Sequence, residues 1–412
     1  MITKEEIYQL IPGIETVCIF DNNHKQNACG YHTYEWLAGF GVEEIIISKA
    51  GNVFEKLKTL YDNSWWMGCL GYDLKNEIEK LESNNFDGTC FPDVIFFKPK
   101  VVVTETNGVL EFLKGDEAQI KELYSNQNSN NLVSKNIQLQ DRTTKERYIQ
   151  NFEKIKQHII DGDVYELNYC MEFYAEDIYI NSFETWKKLN AISPTPFAGY
   201  LSHKHQHLLC ASPERFLKKK NNKLISQPIK GTTPRGKDEI EDEQLKQELY
   251  HNEKERSENV MIVDLMRNDL ARSSVAGTVQ VEELFGIYTF EKLHQMISTV
   301  TSEAKTTIPL YDIIKNAFPM GSMTGCPKIK AMELIEEYED SKRGFFSGAL
   351  GYITPAGDFD LNVVIRSIIY NAENKYLSFH AGSAITYEAN ALSEYEECIL
   401  KTQSIRKTLE IL

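Results

Sequence analysis

The chain has 412 residues, which exceeds the usual limit for one hydrophobic core, so we expect two lobes or two domains. Its hydrophobic content of 42%, with 25% charged residues, is ordinary for a soluble globular protein. The formal net charge of -15 argues against a nucleic-acid binder, which would need a basic patch, although a local pocket can still hold a small anionic substrate.

The sequence carries no signal for export or for membrane insertion. The first residues lack an apolar segment, and no apolar run approaches the ~20 residues of a membrane span. The eight cysteines are scattered without a Cys-x-x-Cys pair, which indicates reduced thiols. We therefore predict a cytoplasmic protein that does not bind membranes.

Composition divides the chain into two regions. Residues 1–125 mix short β-rich runs with charged helical stretches and are predicted to form an N-terminal lobe. Within them, Asn107-Gly108 between two apolar runs predicts a β-hairpin with a type I′ turn. Residues 126–140 contain a polar, low-complexity stretch and are predicted to connect this lobe to a second region at 141–412.

A lysine on a stiffened loop is the first candidate for chemistry. Residues 227–236 contain Pro228 and Pro234, which restrict the backbone, and Gly231, which lets it turn sharply or approach a ligand. Lys230 lies between them. Its amine is either a solvated charge or, if a pocket lowers its pKa, a nucleophile.

Two acidic helices are the second candidate. Residues 238–273 are predicted to form one long helix, on which Glu255 and Glu258 share a face at i, i+3 spacing. Near the C-terminus, Ser393 is the predicted N-cap of another helix, with Glu396 completing a capping box.

Glu394, Glu397 and Lys401 line one face of that C-terminal helix. Each Glu-x-x-Glu pair is either an exposed acidic surface or, if the two helices meet, part of an oxygen-rich Mg²⁺ site.

Three further segments combine polar groups with strands or turns. Glu214 lies in a tight turn after a strand, where a glutamate is usually solvated. Ser322 and Thr324 lie in a glycine-containing loop before a helix, which suits recognition of an anion or a hydroxyl. Arg366 lies within a predicted strand at 361–369 and would be costly to bury without an anion.

The phrase Pro-Ile-Lys-Gly-Thr at 228–232 resembles the signature of the aminodeoxychorismate synthases, the para-aminobenzoate branch of the chorismate-utilising enzymes. The anthranilate synthases of the same family carry alanine in place of Lys230. Further resemblances run almost continuously from Asp141 to Lys401 and include Ser-Pro-Glu at 212–214. Residues 381–385 resemble an Ala-Gly-x-Gly-Ile turn of the family, so the resemblance implies a turn there. The resemblance implies an α+β, two-lobed fold, in which β-sheets pack as a sandwich with helices on the outer faces.

The resemblance also implies a reaction, the amination of chorismate with ammonia to 4-amino-4-deoxychorismate on the route to para-aminobenzoate and folate. Lys230 would add to ring carbon 2 while Glu214 protonates the hydroxyl leaving carbon 4. Mg²⁺ would be held by Glu258 and Glu397, with Glu255 and Glu394 acting through water or from behind them.

The remaining site residues follow from the same resemblance. Arg366 and Tyr352 would clamp a carboxylate of the substrate. Further substrate contacts would come from Gly231, Thr232, Ser322, Thr324, Gly382, Ser383 and Lys401. The chain has no Gly-x-Cys-x-Gly turn of a glutaminase, so a separate glutamine amidotransferase subunit is the expected source of ammonia.

Several alternatives stay open. Anthranilate synthase component I is the nearest. Those enzymes carry a histidine, implied as a base for aromatisation, at the position of Gln295 in this chain. His294 is one residue earlier, so its side chain is expected on the opposite face of the strand, and we predict that it is structural. Isochorismate and salicylate synthases are a second alternative, and they place a water-activating lysine near the position of Glu166. The family usually has glutamine there. The strand that contains Glu166 has no lysine, which counts against the use of water as the nucleophile. A non-catalytic acidic binding protein is the last. The Leu-Leu-Glu-Ser pattern of tryptophan-regulated relatives is not visible, so we do not predict such regulation.

Overall fold

The structure, a computed structural model, describes residues 2–24, 30–60, 62–125, 134, 137–290 and 293–410. Within these described ranges, twenty-one strands form two large antiparallel sheets, and helices pack around them. The predicted α+β sandwich is therefore confirmed. No helix among these residues combines the length and apolar character needed to cross a bilayer.

The strands range in length from two residues to eleven. Their bounds are β1 (Thr16–Asp21), β2 (Trp36–Phe40), β3 (Glu44–Ser48), β4 (Trp66–Leu70), β5 (Val94–Lys98), β6 (Val101–Thr106), β7 (Val109–Lys114), β8 (Gln140–Asp141), β9 (Glu166–Ala175), β10 (Phe197–His203), β11 (Gln206–Ser212), β12 (Arg215–Lys220), β13 (Lys223–Gln227), β14 (Ile229–Pro234), β15 (Gln280–Thr289), β16 (Leu293–Glu303), β17 (Gly325–Cys326), β18 (Ala349–Ile353), β19 (Phe359–Asn362), β20 (Ser367–Asn371) and β21 (Tyr376–Ile385).

The helices lie between strands and at the two ends of the chain. Their bounds are α1 (Lys4–Leu10), α2 (Val53–Leu60), α3 (Lys75–Ile78), α4 (Glu117–Leu123), α5 (Lys145–Ile160), α6 (Ser182–Ile192), α7 (Glu239–His251), α8 (Glu253–Ala271), α9 (Leu310–Ala317), α10 (Lys328–Tyr338) and α11 (Ala391–Glu410).

Each sheet draws strands from both ends of the chain. The first has the order β17-β9-β21-β20-β11-β10-β1-β2-β6-β7, with β8 beside β9, and the second has the order β14-β16-β13-β12-β19-β18-β4-β5-β3, with β15 beside β16. Strands before residue 125 thus pair with strands after residue 141. The proposed domain boundary stays a prediction, since most of the polar connection at 126–140 lies outside the described residues.

Two large hydrophobic layers hold these elements together. One lies between the sheets and combines residues such as Leu201 of the first sheet with Phe96 and Leu350 of the second. The other covers the outer face of the first sheet, where α5, α6 and α11 contribute Phe152, Trp186 and Ile405. Burial of these apolar side chains is the main term that stabilises such a sandwich.

The predicted β-hairpin is confirmed, and α5 starts with a capped N-terminus. β6 and β7 form the expected hairpin, and its turn residues Asn107 and Gly108 have φ values of 51° and 75°. Both positive values match a type I′ turn. α5 begins after Thr144, whose side chain accepts a hydrogen bond from the backbone of Arg147. That is the capping geometry expected at a helix start.

Two helix predictions were wrong in their details. The segment at 238–273 is not one helix, because the chain breaks at Asn252, whose side chain caps α8 by accepting from the Glu255 amide. α11 begins at Ala391 rather than after Ser393, and Asn390 accepts from the Leu392 amide. In both cases an asparagine side chain satisfies an amide that lacks a partner within the helix.

One strand prediction and one turn prediction also need correction. The run 361–369 is split between β19 in the second sheet and β20 in the first, and Arg366 lies at the crossover with a φ of 53°. An apolar run does not reveal such a change of sheet, because buried residues flank it on both sides. Residues 381–385 are not a turn but the end of β21, which pairs with β9.

Candidate active site

Lys230 lies on β14, beside an irregularity in the pairing of that strand. The register between β14 and β16 shifts between Ile229 and Thr232, so the ladder is interrupted at Lys230 and Gly231. Gly231 has a φ of 91°, and an added Cβ would come within 3.2 Å of Glu255 Oε2. The glycine therefore allows both the bulge and the close approach of α8, as expected for this residue type.

The Lys230 amine is enclosed by carboxylates. Its Nζ donates to Glu166 Oε1 at 2.6 Å and lies 3.9 Å from Glu258 Oε2, and the side chain is 12% exposed. Burial alone would lower the pKa of Lys230, but the charges of Glu166 and Glu258 outweigh burial and raise it above its ordinary value. The pocket therefore does not lower the pKa of Lys230, because an ion pair with carboxylates holds the proton on its amine.

Glu214 lies in the turn between β11 and β12 and is 5% exposed. Burial raises the pKa of its carboxyl to about 7, although the Ser322 hydroxyl and the charges of Lys230 and Lys401 oppose this shift. Glu214 therefore lies in the same electrostatic environment as Lys230. A carboxyl group with a pKa near neutrality can donate a proton at physiological pH.

The four carboxylates expected at a metal come from α8 and α11. Burial is the main cause that raises the pKa values of Glu255, Glu258 and Glu394, and the Glu397 charge raises those of Glu255 and Glu394 further. The pKa of Glu397 is lowered instead, because Lys401 outweighs burial. The two helices thus bring acidic groups close enough to repel each other.

These residues suit a hard cation in their chemistry. Glu258 Oε1 is buried without a hydrogen-bond partner, and carboxylate oxygens are the ligands that Mg²⁺ prefers. Within the described parts of the chain, however, no three acidic, histidine or cysteine side chains form a compact group that would hold a metal ion. Lysines lie among the carboxylates, with Lys401 on Glu397 at 2.5 Å and Lys254 on Glu394 at 3.2 Å.

Arg366 and Lys401 form the second cationic part of the site. Arg366 Nη1 donates to the Lys401 carbonyl at 3.3 Å, and burial lowers the pKa of its guanidinium against the charge of Glu397. Lys401 Nζ donates to the Gly382 carbonyl at 2.8 Å. A side chain on Gly382 would collide with Cys170 of β9, so this close strand approach requires glycine.

The predicted hydroxyl contacts differ in their surroundings. Ser383 is fully buried and lies 3.0 Å from the Tyr148 hydroxyl, and it also hydrogen-bonds Glu394. Thr324 is fully buried and donates to carbonyls of its own loop, whereas the Thr232 side chain is exposed on β14. The geometry brings Ser322 next to Glu214 and gives Thr324 a local structural role.

Tyr352 does not join this cluster, which corrects the predicted carboxylate clamp. Its ring contacts Phe20, Tyr34 and Trp65 between the two sheets. There it lines a small cavity of about 50 Å³ together with residues that include His32. Alternate side chains of a strand point to opposite faces, and on β18 that of Tyr352 points into the sandwich.

His294 and Gln295 are adjacent on β16, where neighbouring side chains face opposite ways. His294 is fully buried, with Nε2 at 2.9 Å from Asp242 and Nδ1 at 3.0 Å from the Thr289 hydroxyl. Both ring nitrogens therefore have local partners, as in a structural histidine.

Two contacts could not be assigned from the sequence alone. Glu166 pairs with Lys230, although 64 residues separate them in the chain. In the sequence, Glu166 stood out only because the family usually has glutamine at that position. Lys254 contacts carboxylates of both acidic helices and was missed altogether. Its i, i+4 spacing from Glu258 was the available signal, since such pairs share a helix face.

The chain is similar to known proteins over most of its length. Residues 15–407 match the family model of chorismate binding enzymes. Aminodeoxychorismate synthase component 1 of Escherichia coli strain K12 is 32% identical over 352 residues, which cover 84% of this chain and 76% of that protein. An anthranilate synthase component I-like protein of Synechocystis is 33% identical over 354 residues, covering 84% of this chain and 72% of that one.

A solved structure shares the fold. Anthranilate synthase component I of Streptococcus pneumoniae superposes with a TM-score of 0.78 at 24% identity, covering 89% of this chain and 91% of that chain. With the family match extending over both sheets and over α8 and α11, the chain belongs to the chorismate binding enzyme family.

Proposed function

We propose that the chain converts chorismate and ammonia to 4-amino-4-deoxychorismate, using Lys230 as the nucleophile. The observation that carries this proposal is the buried Lys230 amine, within the electrostatic reach of Glu214 and paired with Glu166. Relatives from three bacteria that are named aminodeoxychorismate synthase component 1, at 32% to 36% identity, support the same assignment.

In the first step, Glu214 acts as the general acid. Its pKa of about 7 keeps a large fraction protonated near neutrality. It donates that proton to the hydroxyl at ring carbon 4, which departs as water while the Lys230 amine forms a bond to carbon 2. Glu214 is left as a carboxylate, and the ring is attached to the lysine.

Lys230 must lose a proton before it attacks, because its pKa lies above the ordinary value. Glu166, at 2.6 Å, is the nearest acceptor and takes that proton. In the second step ammonia, formed when ammonium returns a proton to Glu214, bonds to carbon 4. The bond between Lys230 and carbon 2 breaks, and the released amine recovers its proton from Glu166.

The substrate is an anion, so cationic groups must bind it in an acidic protein. Arg366 and Lys401 are the candidates, because both lie beside Glu397 and Arg366 Nη1 donates to the Lys401 carbonyl. We assign Mg²⁺ to Glu258 and Glu397, supported by Glu255 and Glu394. A bound Mg²⁺ neutralises and orients a carboxylate of the substrate.

Ammonia needs a source, and we propose a separate glutamine amidotransferase subunit. The name of the Escherichia coli relative, component 1, implies a further component in that protein. The cysteines that the structure describes are free thiols, which supports a reducing compartment such as the cytoplasm.

Anthranilate synthesis is the second candidate, because the Synechocystis relative carries that name. It would aminate carbon 2, the position that Lys230 attacks in our scheme, and would then release pyruvate. A buried lysine ion pair at this place favours the first candidate, in which carbon 2 is occupied by the enzyme.

The two candidates are separated by their products. The purified chain is incubated with chorismate, Mg²⁺ and an ammonium salt, and the products are identified by mass. We expect aminodeoxychorismate without pyruvate, and no such product from Lys230→Ala. Lys246→Ala, which removes an amine paired with Glu243 elsewhere, serves as the control. Anthranilate and pyruvate, or an active Lys230→Ala variant, would contradict the proposal.

A further inference from the structure

Lys254 lies in the first turn of α8 and links that helix to α11. Its Nζ is 3.2 Å from Glu394 Oε1 and 3.8 Å from Glu258 Oε1. The side chain is 42% exposed, whereas those of Glu258 and Glu394 are 10% and 4% exposed. One partly exposed ammonium group therefore lies against two buried carboxylates from different helices.

The position of this ammonium is the place where a bridging cation would go. An ion that is held by Glu258 and reaches Glu394 directly or through water must lie in the space between these two carboxylates, within a few ångströms of each. Lys254 Nζ already meets oxygens of both residues within 4 Å. Two cations in that space would repel each other strongly, so the lysine and the ion exclude one another.

Lys254 is also easy to displace. A lysine ammonium sits on a flexible four-carbon stem, and a partly exposed ion pair contributes little free energy. Its remaining contact with the cluster is electrostatic, through Glu255 beside it in the chain. Rotation of its stem towards solvent would free the two carboxylates without moving either helix.

We propose that Lys254 and the divalent cation are alternative counter-ions of the Glu258–Glu394 pair. Lys254 links α8 to α11 until the cation binds and must then swing outward. This inference rests on the proposed metal site of the enzyme. It predicts that Lys254 weakens metal binding, the opposite of what a lysine that supports the site or holds the substrate would do.

The first test measures metal affinity without turnover. Mg²⁺ alone, and Mn²⁺ alone as a spectroscopic probe, are titrated into the full-length protein and into Lys254→Gln. We expect the variant to bind either ion roughly three- to tenfold more tightly, the factor expected from losing one or two weak ion pairs. Lys246→Gln, which removes a lysine on α7 that pairs with Glu243, should bind like the unmodified chain.

The second test uses the unmodified chain, so it does not depend on how the variant folds. Amines are acetylated briefly with and without saturating Mg²⁺, and the peptide that contains Lys254 is quantified by mass spectrometry. We expect Mg²⁺ to increase acetylation of Lys254 severalfold, with Lys246 unchanged.

Metal binding by Lys254→Gln that is equal to or weaker than that of the unmodified chain would overturn the inference and leave the metal site standing. Protection of Lys254 from acetylation by Mg²⁺ would do the same. An unmodified chain that binds neither Mg²⁺ nor Mn²⁺ would overturn the metal site and the inference with it. Formation of aminodeoxychorismate is measured in a separate assay. A failure of the proposed function is therefore distinguishable from a failure of the metal site and from a failure of the inference about Lys254.

Discussion

The role of Glu214 as an acid predicts a specific dependence of activity on pH. The pKa of its carboxyl is raised to about 7 because the side chain is buried. Only the protonated form can donate to the leaving hydroxyl. The acid form is thus almost fully present at pH 6 and falls to about one-tenth at pH 8, so kcat/KM for chorismate should fall about tenfold over that interval.

The assay must separate this effect from the supply of ammonia, which rises with pH as ammonium loses its proton. Initial rates are therefore measured at a fixed, saturating concentration of free ammonia, with total ammonium adjusted at each pH. Glu214→Gln keeps the size of the side chain but cannot donate a proton. It should lower kcat/KM by about 10²- to 10⁴-fold and abolish the decline near pH 7.

Two results would refute this reasoning. One is a rate that stays constant between pH 6 and pH 8 in the unmodified enzyme. The other is the same decline in Glu214→Gln, which would assign the titration to another group. A decline centred far below pH 6 would mean that burial does not raise the pKa of Glu214 as the structure indicates.

Three further predictions concern neighbouring residues. Lys230→Met leaves Glu166 and Glu258 buried without their shared cation, so the free energy of unfolding, measured with urea at pH 7.5, should fall by about 3 kcal/mol. Lys246→Met is the control, and a smaller loss in Lys230→Met than in this control would contradict the prediction. Gly231→Ala places a side chain on a residue with a φ of 91° and directs it towards Glu255. It should therefore lower the free energy of unfolding by about 1–3 kcal/mol in the same assay and lower kcat. Unchanged values would refute the close approach of α8 to Gly231. Tyr352→Phe should leave KM for chorismate within about twofold, because its ring lies in the sandwich, and a rise above about tenfold would restore Tyr352 to the substrate site.

The sequence supported the candidate site best where local residues carry the signal. Pro228, Gly231 and Pro234 constrain the backbone around Lys230 within a few residues, and the bulge on β14 lies there. The i, i+3 spacing of Glu255 and Glu258 likewise follows from helix geometry, whichever residue begins the helix.

Contacts between distant segments were harder to predict. Nothing near Lys230 in the chain indicates that Glu166 would raise the pKa of its amine, because that contact depends on how β9 lies against β14. Tyr352 was misplaced for a related reason. Its neighbours in sequence do not reveal which face of β18 points into the sandwich, and only the pairing of whole sheets decides this.

The crossover at Arg366 shows a third limit. The apolar run at 361–369 predicts one strand, yet a single residue with positive φ lies where the chain passes from one sheet to the other. Arginine has no strong preference for that conformation, so the change of direction leaves no mark in the sequence.

The most direct measurement is the mass of the enzyme during turnover. Enzyme, chorismate and Mg²⁺ are mixed without ammonia, quenched within milliseconds to seconds and digested. The account predicts that the peptide carrying Lys230 gains the mass of chorismate less one water, and that added ammonium removes this adduct as product forms. An enzyme that makes aminodeoxychorismate with the Lys230 peptide unmodified throughout, and that remains active as Lys230→Ala, would contradict the account.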